Sequence, residues 1–414
     1  MKILLLTSYF YPEKSASVYL NKNRNESFIK SNFNIEIYTP YPTRGVSEHV
    51  RKEYINKKSE VLYGGQMLIH RFALFREGRS SILRAIRYFL CCCIQFFKGC
   101  MAKDVNMMFI SSTPPIQGAM AALIKKVRGF PIVYNLQDIF PDSLVSTGLT
   151  KKGSFLWKIG RIIEDFTYRN ADKIVVISED FKKNIMAKGV PEDKITVIYN
   201  WVEEDKVFPV SRDENKLFNE LGLEKFLFYV VYAGNLGYAQ NIRVLIDAAS
   251  LLSDYKDVQF VIFGQKNKIN EYNEIINRLN LNNVKLFHLQ DYSRVSSVYS
   301  LGDIDIVSCK AGFGGVGVPS KTWSIMSAAR PVIASFDEES ELCSIIRRSE
   351  SGLCVPPDDP QALKNAILEL YFDKEKRIKF GKNGREFVLK NLTREAGTTK
   401  YVQVVREVFE KSSY

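Results

Sequence analysis

Lys321 is the residue whose neighbours most clearly promise chemistry. It lies in GFGGVGVPSKTW, residues 312–323. From Gly315 the spacing is glycine, four residues, Ser320, Lys321, Thr322, a phosphate-binding P-loop pattern with serine in the place of its second glycine. Pro319 separates it from that loop: it has no amide to give and biases Val318 away from the helical region, so successive amides cannot wrap a phosphate in the same way. The motif also falls late in the chain, and only Asp337, after PVIASF, offers a distant magnesium ligand. What remains is a loop whose backbone at Gly314 and Gly315 can approach an anion, with one ammonium beside it.

A second loop of this kind follows FLFYVVYAG. In NLGYAQN, Gly234 and Gly237 admit close backbone approach, Asn235 lies between them, and a helix starting near Gln240 aims its positive end outward. A glycine at a strand-to-helix turn also serves sterics alone. Two such loops and one lysine converging from neighbouring strand ends would hold a diphosphate. Asp303 and Asp305, in GDIDIVS, alternate as the entry to a strand does and are not read as a metal motif; His49, His70 and His288 show no ligand spacing. No metal site and no cofactor is expected.

The chain has 414 residues, 46% of them hydrophobic and 25% charged, the proportions of an ordinary globular protein of two or three domains. Its seven cysteines, three adjacent at 91–93, have no paired ligand spacing and suit a reducing cytoplasm. The opening KILLL reads as a buried first strand and not as a signal peptide, since the run is short and no small-residue cleavage site follows. A net charge of +12 implies an anionic partner. Zinc spacing, helix-turn-helix cues and aromatic-basic interleaving are missing, so nucleic acid is not that partner.

Cations bracket the apolar run SSILRAIRYFLCCCIQFFKGCMAK. On a helix, Arg84, Arg87, Gln95 and Lys98 form a narrow polar stripe, leaving Leu90, Ile94, Phe96 and Phe97 on a wide apolar body. The run is too short and too charged at its flanks to span a bilayer. The expectation is a helix in the headgroup plane, with Arg84, Arg87 and Lys98 on anionic lipid and Leu90, Ile94 and Phe97 below; the alternative is a core helix.

The elements that must position these residues repeat one grammar twice. Strand-like runs KILLLTSYF, NIEIYTPYP, VNMMFISSTPP, PIVYNLQDIF and KIVVIS alternate with helical stretches in the first half. The second half restarts at FLFYVVYAG and continues through VQFVIFG, VKLFHL, IDIVSC and PVIASF. This alternation argues for an α/β protein of two doubly wound, Rossmann-like domains with parallel sheets covered on both faces, joined near NWVEEDKVFPVSRDENK. Ligands of such sheets bind beyond the carboxyl ends of the strands, so an interdomain cleft is the expected site.

The blocks YFYPEKSAS, NLQDIFPDSLVSTG, ADKIVVISEDFKKNIMAKGVPEDKITVIYNWVEEDKVF, VVYAGNLGYAQN, VPSKTWSIMSAARPVIAS and SGLCVPPDDPQAL, in this order, resemble the bacterial glycosyltransferases of family 4. Within them the chain is most similar to the branch of L-fucosaminyl and fucosyl transferases of O-antigen and capsule synthesis. The resemblance covers almost the whole chain. It implies the GT-B fold, with an acceptor-binding domain over 1–200, a nucleotide-sugar-binding domain over 201–385, and a C-terminal helix over 386–414 packing back on the first. It implies a retaining, metal-independent transfer from a nucleotide sugar, a UDP-linked N-acetyl deoxyhexosamine such as UDP-L-FucNAc, to an undecaprenyl diphosphate-linked acceptor. The enzyme would be cytoplasmic and peripheral on the inner face of the membrane.

Carried over residue by residue, the resemblance puts Asp138 near the reacting carbon and Lys321 on the leaving diphosphate. It puts Gly234, Asn235, Gly237, Gln240, Gly314, Gly315, Val318, Pro319, Ser320 and Thr322 around the donor. Of the acids Glu338, Glu339 and Glu341 before LCSIIRR, one is expected on the donor sugar hydroxyls, with Glu341 the choice. Ser15, Ala16 and Ser17 take the place of a glycine-rich acceptor loop. The plainer readings are a turn aspartate at Asp138 and a helix-start acid at Glu341. Two departures stand out. Uncharged Asn235 and Gln240 or Asn241 occupy places where relatives carry cations, and Val316 and Ser324 replace a glutamate pair. They keep open a second reading, a non-catalytic GT-B-like scaffold subunit of a polysaccharide assembly complex.

Overall fold

The computed structural model describes residues 1–13, 18–78, 80–146, 148–316 and 319–412. Ser15, Ala16, Ser17 and Val318 therefore lie outside the described residues. The chain forms two units, the first of Met1–Tyr199 with Gly397–Tyr414, the second of Asn200–Ala396.

Unit 1 is built on strands β1 (Lys2–Leu6), β2 (Asn34–Pro40), β3 (Ser59–Leu62), β4 (Met67–Phe72), β5 (Met107–Ser111), β6 (Ile132–Leu136), β7 (Lys173–Val176) and β8 (Ile195–Val197). They pair in the order β3-β4-β2-β1-β5-β6-β7-β8. Its helices are α1 (Val18–Lys30), α2 (Glu48–Ile55), α3 (Ser81–Met101), α4 (Gln117–Arg128), α5 (Asp142–Ser146), α6 (Phe155–Asn170) and α7 (Glu179–Ala187). The central strands are buried along nearly their whole length, which is why β1 and β5 read as continuous apolar runs. One pair departs from the expected parallel arrangement: β3 and β4 run antiparallel as an edge hairpin. Its turn uses Gly64 and Gly65 at φ 61° and 100°.

Unit 2 carries α8 (Leu217–Glu220), β9 (Phe228–Ala233), α9 (Arg243–Leu251), β10 (Val258–Gly264), α10 (Lys266–Arg278), β11 (Val284–His288), α11 (Val295–Tyr299) and β12 (Ile304–Ser308). Then follow α12 (Lys321–Ser327), β13 (Val332–Ser335), α13 (Glu341–Arg348), β14 (Gly352–Val355), α14 (Pro360–Phe372) and α15 (Lys374–Asn391). The six strands are all parallel, in the order β11-β10-β9-β12-β13-β14. The direction of winding reverses between β9 and β12, which opens a crevice at their carboxyl ends. Residues 200–207 do not behave as a free linker: Trp201, Val202 and Val207 are buried, and the Val207 carbonyl accepts from Ser327 and Arg385. The last helix, α16, begins at Arg394 and ends at Ser412, residues 386–391 belonging to α15; from Gly397 onward it is part of unit 1, where the buried Tyr401 hydroxyl donates to Asn135 at 2.9 Å.

Helix α3 corrects the expectation for Arg87. Its stripe of Arg87, Cys91 and Gln95 faces inward, and Arg87 and Gln95 are fully buried. Strand-end carbonyls explain the inversion. Gln95 Nε2 donates to the carbonyls of Thr7 at 2.9 Å and Tyr38 at 3.1 Å, and its Oε1 accepts from Gln117 at 2.7 Å. Arg87 Nε donates to the Phe75 carbonyl at 3.0 Å and Nη2 to Thr43 Oγ1 at 3.2 Å. Backbone acceptors buried at the end of a sheet need partners, and this stripe provides them. Arg87 therefore cannot lie on lipid phosphates. The apolar face, with Leu90 and Phe97 exposed and Ile94 half-buried, points outward.

Candidate functional site

The two glycine loops of unit 2 meet at the crevice beside β9 and β12. The Lys310 amide donates to the Ala239 carbonyl at 2.8 Å, and Ser308 Oγ donates to the Gln240 carbonyl at 2.7 Å, so the loop after β12 is laced to the loop after β9. Gly234 takes φ 154°, which a side chain rarely adopts, and a Cβ there would stand 3.3 Å from the Lys321 ammonium. Glycine at 234 thus gives both the turn and the room for the lysine.

Lys321 opens α12. The residue as a whole is half-buried, but its ammonium end is enclosed, 3.8 Å from the centre of the Tyr232 ring. Tyr232 is held in turn by its hydroxyl, which donates to the Asn235 carbonyl at 2.6 Å. Among the described residues no carboxylate lies within ion-pair distance of Lys321. Burial depresses its pKa to about 7; Cys309 is the only group acting in the other direction. Burial also pushes the Cys309 thiol up to about 12, so at neutral pH it offers no counter-charge.

The acids of this edge are engaged elsewhere. Asp337, after β13, accepts the amides of Gly312 at 3.0 Å and Gly314 at 2.7 Å. Asp358, after β14, accepts from the Ala311 amide at 3.1 Å and from Asn241. These carboxylates shape the loop as fixed acceptors, and sequence reading gave Asp337 only a distant metal role. The neutral residues at the cation positions have loop duties too: Asn235 Oδ1 accepts from Gln265 at 3.1 Å, and Gln265 Oε1 accepts the Leu236 amide at 3.0 Å. Of the remaining cations, Arg243 pairs with Asp247 at 2.7 Å, while Lys310 lies against the ring and hydroxyl of Tyr238.

Of the residues expected around the donor, Gly234, Asn235, Gly237, Gln240, Gly314, Gly315, Pro319 and Ser320 do gather on this edge. Thr322 does not present its hydroxyl there: it is fully buried, and its Oγ1 has no partner among the described residues. Glu341 begins α13 behind the Ser340 cap and is 7% exposed. Asp303 is engaged by Arg212 at 2.6 Å and by the Tyr229 amide at 2.9 Å.

In unit 1, Asp138 follows β6. It keeps a solvent-open edge while the surrounding protein desolvates its carboxyl and raises the pKa above the usual carboxylate range, opposed by a hydrogen bond from Ser143. Glu13, which sequence reading passed over, is buried beyond β1 and accepts the amides of Phe10, Thr43 and Arg44 at 3.1, 2.8 and 2.9 Å. Beside it a cavity of about 400 Å³ is lined by Tyr9, Tyr11, Asn21, Tyr54, Glu60 and Arg71 among others. Arg71 is fixed by Glu60 at 2.8 Å and by the Tyr11 carbonyl at 2.8 Å.

Two Rossmann-like sheets, the second with a glycine-loop edge around a lysine, define a GT-B glycosyltransferase fold. Residues 213–387 match the family described as Glycosyl transferases group 1, and residues 98–206 match Glycosyltransferase Family 4. It is similar to WbjE of Pseudomonas aeruginosa, named a probable glycosyltransferase, at 27% identity over 65% of this chain and 67% of that one. WcaI of Escherichia coli K12, named for colanic acid biosynthesis, is 25% identical over 69% of this chain and 70% of its own. Among solved structures, sucrose-phosphate synthase of Thermosynechococcus elongatus aligns with a TM-score of 0.74 at 17% identity, covering 99% of both chains. HepE of Anabaena, in complex with UDP and glucose, aligns with a TM-score of 0.72 at 16% identity, covering 98% of this chain and all of the other.

Proposed function

We propose that this protein transfers a sugar, with retention of configuration, from a UDP-linked N-acetyl deoxyhexosamine such as UDP-L-FucNAc to a lipid-linked oligosaccharide in surface polysaccharide synthesis. One observation carries the reading: an enclosed ammonium between two glycine loops, with no carboxylate in ion-pair distance among the described residues and its pKa depressed by burial to about 7. A diphosphate is the anion that fits. The group 1 domain, the UDP-bound HepE and the colanic acid relative support the donor class and the setting.

The donor diphosphate accepts from Lys321 and from those amides of the two glycine loops that are not already tied to loop acceptors, and Glu341 bonds the sugar hydroxyls. The acceptor lies on unit 1, its reacting end at Ser15, Ala16, Ser17 and Asp138, with a further sugar against the rings of Tyr11 and Tyr54. The acceptor oxygen forms its bond to the anomeric carbon on the face from which the diphosphate departs. The bond to the diphosphate oxygen breaks, and the acceptor proton passes to that leaving oxygen. Lys321 stabilises charge that grows on the diphosphate, an interaction stronger in the transition state than before it. In this proposal the ammonium supplies the counter-charge, and no metal ion is required.

A panel of nucleotide sugars tested by thermal shift examines the reading, since a ligand of the folded state raises its midpoint by mass action. A UDP-sugar that raises the midpoint and releases UDP on addition of a lipid-linked acceptor is the expected outcome. If no member of the panel shifts the midpoint or yields free nucleotide, the chain is the scaffold subunit instead.

A further inference from the structure

Away from the donor edge, unit 1 exposes apolar side chains where a water-facing surface would carry polar ones. On α3, Ile82, Ile86, Phe89, Phe97 and Met101 recur at helical spacing opposite the buried stripe, with Phe97 64% exposed. The face does not stop at α3. Helix α4 packs between α3 and α6. It adds Leu123 and Val127, and α6 adds Phe155 at 81% exposed, Leu156, Ile159 and Ile162 at 68%. Patches of this size on a water-soluble surface mark interaction sites.

Charge identifies the partner. No Asp or Glu occurs in 78–103, 117–128 or 149–163, the segments that form the face. Exposed lysines border it at Lys98, Lys126, Lys151, Lys152 and Lys158. A second copy of this chain would bring the same lysines against themselves, whereas an anionic lipid surface neutralises them while its acyl boundary covers the apolar side chains. No described helix is long and apolar enough to cross a membrane, so the face would lie in the interface and not through it. The inward turn of Arg87 and Gln95 completes the arrangement, because it removes from the outer face the polar atoms that would resist burial.

We propose that α3, α4 and α6 together form a docking face for an anionic bilayer. The test reads lipid binding alone and is independent of sugar transfer: co-sedimentation with phosphatidylcholine vesicles containing phosphatidylglycerol. Wild-type protein should bind these vesicles and largely ignore pure phosphatidylcholine. Ile162→Asp with Phe155→Asp, on α6, should lower binding tenfold or more, as much as Phe89→Asp with Phe97→Asp on α3, with circular dichroism and the thermal midpoint unchanged. Lys126→Gln and Lys158→Gln should each weaken binding about fivefold. If an aspartate pair unfolds the protein, the corresponding serine pair repeats the test and should still lower binding severalfold. Failure of wild type to bind overturns the proposal. So does full binding by the α6 variants, or a stable dimer that the same variants split while vesicles are ignored; the last would make the face a contact between copies.

Discussion

The carboxyl edges of the two sheets resolve the same problem with opposite charges. In unit 2 the acids Asp337 and Asp358 are tied to loop amides, and an ammonium, Lys321, has no ionic partner among the described residues and a pKa that burial pulls down. In unit 1 the acid Glu13 is tied to three amides, and the group at the edge is a carboxyl, Asp138, whose pKa burial pushes up. Desolvation dominates both shifts. The first edge is therefore an unsatisfied seat for negative charge. The second tolerates a neutral or hydroxyl-bearing group and offers a base of raised pKa.

That contrast breaks most readily at Lys321. Lys321→Gln should lower turnover about a hundredfold, on the order of 3 kcal/mol in transition-state stabilisation, with donor binding weakened less; steady-state kinetics with a UDP-sugar measure it. Lys321→Arg should restore only part of the loss, because a planar fork does not fit beside close-packed backbone as a compact ammonium does. On the other edge, Asp138→Asn should lower turnover by about 2 kcal/mol while leaving UDP affinity unchanged, the value of one charged hydrogen bond. Equal effects of both variants on UDP affinity would erase the division of labour between the units.

Two smaller effects sharpen the comparison at the level of support. Gln95→Leu strands the Thr7 carbonyl and leaves the Tyr38 carbonyl with the Thr7 amide alone, and should lower stability by about 1–3 kcal/mol in urea titration, without altering UDP binding. Asp337→Asn keeps one acceptor for the loop amides, so the expected loss is about 1 kcal/mol or less, read as weaker UDP binding with the fold retained.

Much of this was legible in the residues. Continuous apolar runs separated by helical stretches mark the parallel strands, and glycine spacing marks the two loops that meet beside Lys321. The orientation of α3 was not legible. Periodicity separates a polar stripe from an apolar face, yet it does not say which one meets the core, and here the decision falls to strand-end carbonyls distant in sequence. The β3–β4 hairpin has a local signal, Gly64 and Gly65 between two short runs, but nothing in those residues alone distinguishes its antiparallel pairing from the parallel pattern around it. Thr322 illustrates a further limit: the spacing that aligned it with a phosphate-binding threonine says nothing of the packing that buries it. Loop acceptors such as Asp358 and Gln265 were hidden for the same reason, since their partners come from other strand ends.

The central claim, that Lys321 waits for a diphosphate, predicts a particular dependence on pH. The folded pKa of about 7 lies below the ordinary 10.5, so the empty protein bears the full cost of a buried ammonium at and below pH 7 and is relieved of it as pH rises from about 7 to 10.5. Over that window stability should climb with pH in wild type, and Lys321→Met should remove this contribution. UDP binding should run the other way. Titration calorimetry of UDP at pH 7 and pH 9, a range in which phosphate is already ionised, tests it most directly. Wild-type affinity should fall tenfold or more between the two, and Lys321→Met should bind weakly and equally at both. Parallel affinities for the two proteins at both pH values would contradict the assignment.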